Sequence, residues 1–282
     1  VAWRDAEGNI AMWLMDGASV KSSTWMGSEL TAWSLAGQRD FNGDGKADWL
    51  WFDTEGNTSM WLLDGPKVKS SAWIDDVPIP WAVVGTGDFN GDGMGDLLWR
   101  DNAGNTGIWL MNGGQVLQIA SLGNIPTNWT VAAVEDFDGD GKADIVWSDG
   151  SGNVAIWLMN GTQVSQSAGL GSVPTVWSIV GAGDFDGDGK FDLLWRDTTG
   201  DMAIWFMNGT QIASATGLGL ASLQWSVSVT GDFDGDGKSD ILWRHAMGGV
   251  GMWIMNGSQV VSAVVVGQVS SAAWSIQGLN AD

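Results

Sequence analysis

The chain has 282 residues, 44% hydrophobic and only 16% charged, which supplies a large core and excludes the disordered class. Its 33 acidic against 12 basic residues give a formal net charge of −21, so neither nucleic acid nor an anionic membrane is an expected partner. Cysteine is absent, which excludes disulfide staples and thiolate metal sites. No apolar run approaches the roughly 18 residues of a membrane helix, so membrane insertion is not expected.

In chain order, the N-terminal VAWRDAEGN has no basic stretch followed by an apolar one, and any signal peptide is expected either to have been removed or never to have been part of this sequence. Trp3 opens a series that continues at Trp51, Trp99, Trp147, Trp195 and Trp243, each 48 residues beyond the last. A second column runs Trp13, Trp61, Trp109, Trp157, Trp205 and Trp253. A third runs Trp33, Trp81, Trp129, Trp177 and Trp225, then Trp274 after a one-residue insertion. Trp25, Trp49 and Trp73 fall outside these columns. A fixed period of this length is the mark of a repeat architecture.

Each unit reads as four short strands. Between residues 33 and 73 these are WSLAG, DWLWF, TSMWLL and VKSSAW, called A to D. Strand B is apolar on both faces, as at Leu97, Leu98 and Trp99, and belongs inside a stack of sheets. The C to D connection is Asp-Gly or Asn-Gly in every copy, as at Asn160-Gly161, and predicts a tight hairpin with two positive φ angles. Six such units predict an all-β fold, a six-bladed β-propeller of four-stranded antiparallel blades forming one domain over residues 1–282. The chain opens within strand B and ends with a strand A, AAWSIQGLNAD, so the two termini are expected to share the sixth blade and remove two exposed edges. The sixth A to B loop would be interrupted, with Ala281 and Asp282 in its first two positions.

The A to B connection is an acidic loop of nine residues, D-x-[DN]-x-D-G-x-x-D, occurring five times in register and holding more than half of the 33 acidic residues. Carboxylates packed this densely repel one another unless a cation neutralises them. Side-chain oxygens at positions 1, 3, 5 and 9, with a backbone carbonyl at 7 and a Gly at 6, suit a hard cation of six to eight oxygen ligands. The ligands would be Asp40, Asn42, Asp44, Lys46 and Asp48; then Asp88, Asn90, Asp92, Met94 and Asp96; and Asp136, Asp138, Asp140, Lys142 and Asp144. The last two loops would use Asp184, Asp186, Asp188, Lys190 and Asp192, and Asp232, Asp234, Asp236, Lys238 and Asp240, with Lys and Met acting through the carbonyl alone. Calcium is favoured over magnesium, which prefers small octahedra rich in water, and no loop offers the His or Cys that transition metals choose. Strand residues follow the loops, so these are not EF-hands. About five Ca2+ sites are expected.

These loops, DFNGDGKAD and DFDGDGKAD, resemble those of the FG-GAP or VCBS repeat family, whose relatives include the integrin α-subunit propeller and fungal and bacterial propeller lectins. The resemblance covers the whole chain and implies a calcium-binding propeller in a secreted or cell-surface setting. The paired FG and GAP tags of the integrin version are absent, and no integrin-type ligand is carried over.

Catalysis is not expected. The chain has one His, no Cys and no Tyr, and nearly all its Asp lies in metal loops or turns. His245 stands where other copies have Asp5, Asp53, Asp101, Asp149 or Asp197, and reads as drift within a turn.

The Trp51 and Trp61 columns read as packing between blades, whereas the Trp33 column starts strand A at the end opposite the metal. Three Trp-Arg-Asp triplets result: Trp81 with Arg100 and Asp101, Trp177 with Arg196 and Asp197, and Trp274 with Arg4 and Asp5. An indole face stacks on the apolar face of a sugar, and Arg with carboxylate selects hydroxyls. The competing reading is a local Arg-Asp ion pair beside a rim tryptophan. Two functions are therefore expected: a monomeric lectin-like propeller binding carbohydrate at repeated sites, or a structural or protein-interaction module of a larger extracellular protein.

Overall fold

The structure, a computed structural model, describes residues 1–78, 80–269 and 274–277, and all its regular elements are antiparallel strands. Blade 1 opens with β1 (Ala2–Asp5), β2 (Asn9–Asp16) and β3 (Ser19–Ser28). Blade 2 holds β4 (Trp33–Arg39), β5 (Asp48–Asp53), β6 (Asn57–Leu63) and β7 (Val68–Asp76). Blade 3 holds β8 (Ala82–Gly87), β9 (Asp96–Arg100), β10 (Asn105–Asn112) and β11 (Gln115–Asn124). Blade 4 holds β12 (Trp129–Glu135), β13 (Asp144–Asp149), β14 (Asn153–Asn160) and β15 (Gln163–Ser172). Blade 5 holds β16 (Trp177–Gly183), β17 (Asp192–Asp197), β18 (Asp201–Asn208) and β19 (Gln211–Leu220). Blade 6 holds β20 (Trp225–Gly231), β21 (Asp240–His245), β22 (Gly249–Asn256) and β23 (Gln259–Gln268), and β24 (Trp274–Gln277) ends the described chain.

The fold class is the expected six-bladed β-propeller. The two ends of the chain share blade 1, whose order is β24-β1-β2-β3, with Asp5 opposite Trp274 and Ala2 opposite Gln277. The interrupted sixth loop expected at Ala281 and Asp282 lies outside the described residues.

The chain divides into two compact units. One comprises residues 1–31, 176–208 and 212–282, and the other residues 32–175 with 209–211. In both, the core lies between successive blades. Phe41, Leu50 and Met60 of blade 2 pack with Leu97, Trp99 and Met111 of blade 3, while Phe185, Leu194 and Ile204 of blade 5 pack with Ile241, Trp243 and Met255 of blade 6. The doubly apolar second strands make this possible, since each offers one face to either neighbour. Trp3, Trp51, Trp99, Trp147, Trp195 and Trp243 are all buried. The second column stands half-buried against them, with ring centroids 4.7 to 5.2 Å apart.

The C to D hairpins differ from expectation. Asn160 pairs with Gln163, so the two-residue turn is Gly161-Thr162 and the Asn is the last residue of its strand. Gly161 has φ 63°, and among the described residues only glycines have positive φ. One left-handed residue at the first central position is the requirement of a type II′ turn, whereas the type I′ turn expected from Asn-Gly needs two.

Candidate functional site

Five acidic loops stand between the first and second strands of blades 2 to 6. In the loop at 136, the Asp136 carboxylate accepts the Gly139 and Gly141 amides at 2.7 and 2.8 Å, and both glycines are left-handed, with φ 79° and 82°. The first carboxylate thus folds the loop around itself. The ninth residue ties the loop to the blade: Asp144 Oδ2 accepts Phe137 N at 2.9 Å and Oδ1 accepts Met159 N of β14 at 2.8 Å. Asp48, Asp96, Asp192 and Asp240 do the same in their blades.

Burial, only partly offset by those two amides and aggravated by the neighbouring carboxylates, pushes the Asp96, Asp144 and Asp192 carboxyls up to about 7 and Asp240 up to about 6. Asp48, Asp138 and Asp186 are also raised, by burial first. Ligand oxygens of positions 1, 3 and 9 converge to within 4.8 Å in three loops: Asp136 with Asp138 and Asp144, Asp184 with Asp186 and Asp192, and Asp232 with Asp234 and Asp240. This donor set, all hard oxygen and negatively charged, fits calcium. In the loops at 40 and 88 the third position is Asn42 or Asn90, whose amides donate to Asp48 at 2.7 Å and Asp92 at 3.0 Å.

Position 5 behaves differently from the other carboxylates. Asp140 and Asp188 accept from the ammonium groups of Lys142 and Lys190 at 2.8 and 2.9 Å, and neither belongs to its loop's converging group. Position 7 therefore brings a competing cation as well as a carbonyl. Sequence reading missed this, although Lys at that position in four of the five loops was its signal.

Successive loops are joined through the backbone. Gly95 N donates to Asp40 O at 2.7 Å, Ala143 N to Asp88 O at 2.6 Å and Ser239 N to Asp184 O at 2.6 Å. The turn glycines add a second tie, from Gly113 N to Phe41 O and Gly161 N to Phe89 O at 2.7 Å, and from Gly257 N to Phe185 O at 2.9 Å.

At the opposite blade ends the backbone brings the expected triplets together, with Trp177 opposite Asp197, Trp274 opposite Asp5, and Ala82, next to Trp81, opposite Arg100. The side chains, however, go elsewhere. Arg100 donates to Trp129 O, to Ile125 O at 3.0 Å and to Pro126 O at 2.9 Å, with its guanidinium 5.5 Å from the Trp147 ring. Arg196 holds Trp225 O, Ala221 O and Ser222 O in the same way, 5.6 Å from Trp243. Arg4 donates to Leu30 O at 2.8 Å. Arg100 and Arg196 therefore clamp the following blade instead of joining the tryptophan of their own.

The carboxylates are equally committed. Asp101 accepts the Ala103 and Asn105 amides at 2.9 and 2.8 Å and the Asn105 side chain at 2.7 Å; Asp5 repeats the pattern with Glu7 and Asn9, and Asp197 with Thr199 and Asp201. These hydrogen bonds, the Asn105 side chain foremost, hold Asp101 below the ordinary carboxylate range. His245 replaces this Asp by accepting Met247 N on Nδ1 at 3.0 Å, as a turn residue would.

Antiparallel four-stranded blades, each of five carrying a nine-residue acidic loop between its first two strands, define a repeat propeller with oxygen-ligand loops. Residues 40–99, 88–147, 136–195 and 184–243 match the FG-GAP-like repeat and residues 224–265 the FG-GAP repeat, so the chain belongs to the FG-GAP repeat family. No curated protein sequence matches it. Among solved structures it is similar to Raptor of Chaetomium thermophilum, with TM-score 0.52 and 11% identity over 93% of this chain and 24% of that one. It is also similar to BBS1N from its complex with ARL6DN, with TM-score 0.51 and 12% identity over 92% of this chain and 77% of that one. At such identities the likeness is one of fold. The chain thus spans about a quarter of the Raptor chain. Among the described residues no helix is long and apolar enough to cross a membrane.

Proposed function

We propose that the chain is a non-catalytic binding module, a propeller stiffened by calcium that works outside the cell as a monomer and binds carbohydrate. The observation that carries this reading is the convergence of three carboxylates to within 4.8 Å in three loops that are already folded by their own amides. Asp136, Asp138 and Asp144 would hold one ion with the Lys142 carbonyl, and the loops at 184 and 232 would do likewise. When bound, the cation supplies the positive charge that these carboxylates lack.

The ligand class is supported by the half-buried tryptophans at the starts of the first strands, repeated in all six blades. Repetition on one scaffold suits dense glycans, where weak sites gain avidity. The Arg and Asp of the triplets are occupied in the fold, so recognition rests on the aromatic surfaces. Interaction with an extracellular protein is the second reading, favoured by the same commitment of the polar groups. A glycan array run with calcium and with chelator tests the proposal. Calcium-dependent binding is expected, and a blank array with the metal present would leave the protein-interaction reading in its place.

A further inference from the structure

We propose that the cleft on the face of blade 6 between Trp225, Trp253 and Val265 is a binding site for a neutral pyranose. The inference deepens the carbohydrate reading above and rests on it. The cleft has a volume of about 320 Å3, at the small end of the range of about 300 to 1,000 Å3 for small-molecule sites. Three indoles line it, those of Trp225, Trp243 and Trp253, with Val265 on the outer strand and Leu220–Ser222 at its lip.

A comparison among blades shows what this place accepts. Trp243, Gly251 and Val265 form one row across β21, β22 and β23. The same row is Trp3, Ala11 and Trp25 in blade 1, and Trp51, Ser59 and Trp73 in blade 2. In those two blades the outermost residue is an indole standing edge-on to the first-strand tryptophan. Trp25 lies 6.5 Å from Trp274 at 80°, and Trp73 lies 6.0 Å from Trp33 at 79°. The protein itself fills this place twice with a flat ring. In blade 6 the outermost residue is Val265, 75% exposed, and the place stays open beside Trp225.

Gly251 gives the cleft depth. A Cβ there would stand 3.1 Å from Trp225 Cζ3, closer than ordinary contact, so the glycine lets the indole settle a few tenths of an ångström nearer β22 than a larger residue would. The site is also held rigid, because Arg196 fixes the carbonyls of Trp225, Ala221 and Ser222, one wall and the lip. Arg196 thereby becomes a positioning residue and not a group that touches sugar.

The chemistry of the lining selects the ligand. No charged side chain lines the cleft, and a chain of net charge −21 repels anions. A pyranose offers an apolar C–H face of indole size with hydroxyls around its edge. For those hydroxyls the lip provides the Ser222 side chain, and β23 is an edge strand whose outward backbone groups have no strand partner in its sheet.

The test titrates methyl glycosides of glucose, galactose, mannose, fucose and N-acetylglucosamine, with calcium present, against wild type, Val265→Trp and Trp25→Val by calorimetry and tryptophan fluorescence. Both substitutions fall on exposed positions and copy a residue already used in that row, so the melting temperature should hold and confirm folding. At least one glycoside should bind the wild type; Val265→Trp should remove a site or weaken it at least about tenfold, and Trp25→Val should add one. Glycoside binding that Val265→Trp leaves intact in affinity and stoichiometry would overturn the cleft while sparing the carbohydrate reading. Absence of binding by every glycoside at millimolar concentration would overturn both. Saturable binding of N-acetyltryptophanamide alone, abolished by Val265→Trp, would assign the cleft to an aromatic side chain of a protein partner instead.

Discussion

Asp96 opens the five-residue strand β9 and Asp101 follows its last residue, and their carboxylates live in opposite worlds. Asp96 is buried among other carboxylates and is pushed up to about 7, even though it accepts two amides. Asp101, at the surface, receives two amides and an asparagine side chain and is held low. Burial and like-charge crowding raise the first, and the Asn105 side chain, added to the turn amides, lowers the second. One end of the blade is left wanting a cation, whereas the other is complete by itself. Calcium should therefore stabilise the first end and be irrelevant to the second.

The largest expected effect follows directly. Stripping the metal should lower the melting temperature by about 10 °C or more, since several ions that bind only the folded loops act together. An unchanged melting temperature, with metal shown absent by elemental analysis, would break the comparison at its root.

A single-site version uses Asp144→Ala, which removes a proposed calcium ligand and leaves the Phe137 and Met159 amides without their acceptor. In calcium it should cost about 2–4 kcal/mol. In chelator the loss should shrink, because a raised carboxyl and its repulsion disappear with it. Equal losses by urea unfolding under both conditions would show that Asp144 is only a structural cap.

Arg196→Ala, at the other end, should cost about 2–3 kcal/mol with or without calcium, as three carbonyls lose a charged donor. A cost that grew in calcium would mean that the two ends are coupled. The smallest change is expected for Asp101→Ala, about 1 kcal/mol from a lost turn cap on an exposed loop. Its measurement beside Asp144→Ala, in the same two buffers, gives the sharpest contrast.

The repeat length, the strand pattern and the acidic loops were legible because backbone periodicity and turn chemistry are written locally. The shared blade of the two termini was legible for the same reason, as one end lacked the strand that the other carried. The destinations of Arg100 and Arg196 were not. Each reaches carbonyls 25 to 29 residues further on, in the connection to the next blade and its first residue, and adjacency to a tryptophan in the sequence says nothing about which way a long side chain leaves its strand. Trp25 and Trp73 carried a signal that was passed over. They stand 48 residues apart, a fourth column present in only two blades.

The backbone ties between neighbouring loops give the acidic end a property that no single loop has. Asp40 O is held by Gly95 N of the next loop, and Asp88 O by Ala143 N of the one after. A loop that stiffens fixes an acceptor for its neighbour, and so lowers the entropy that the neighbour must still lose. If the loops take up calcium as proposed, occupancy should spread by nearest-neighbour cooperation, as in a one-dimensional lattice. For the loops at 184 and 232, tied by Ser239 N to Asp184 O, the filling curve should be steeper than that of independent sites, and doubly filled pairs should outnumber singly filled ones.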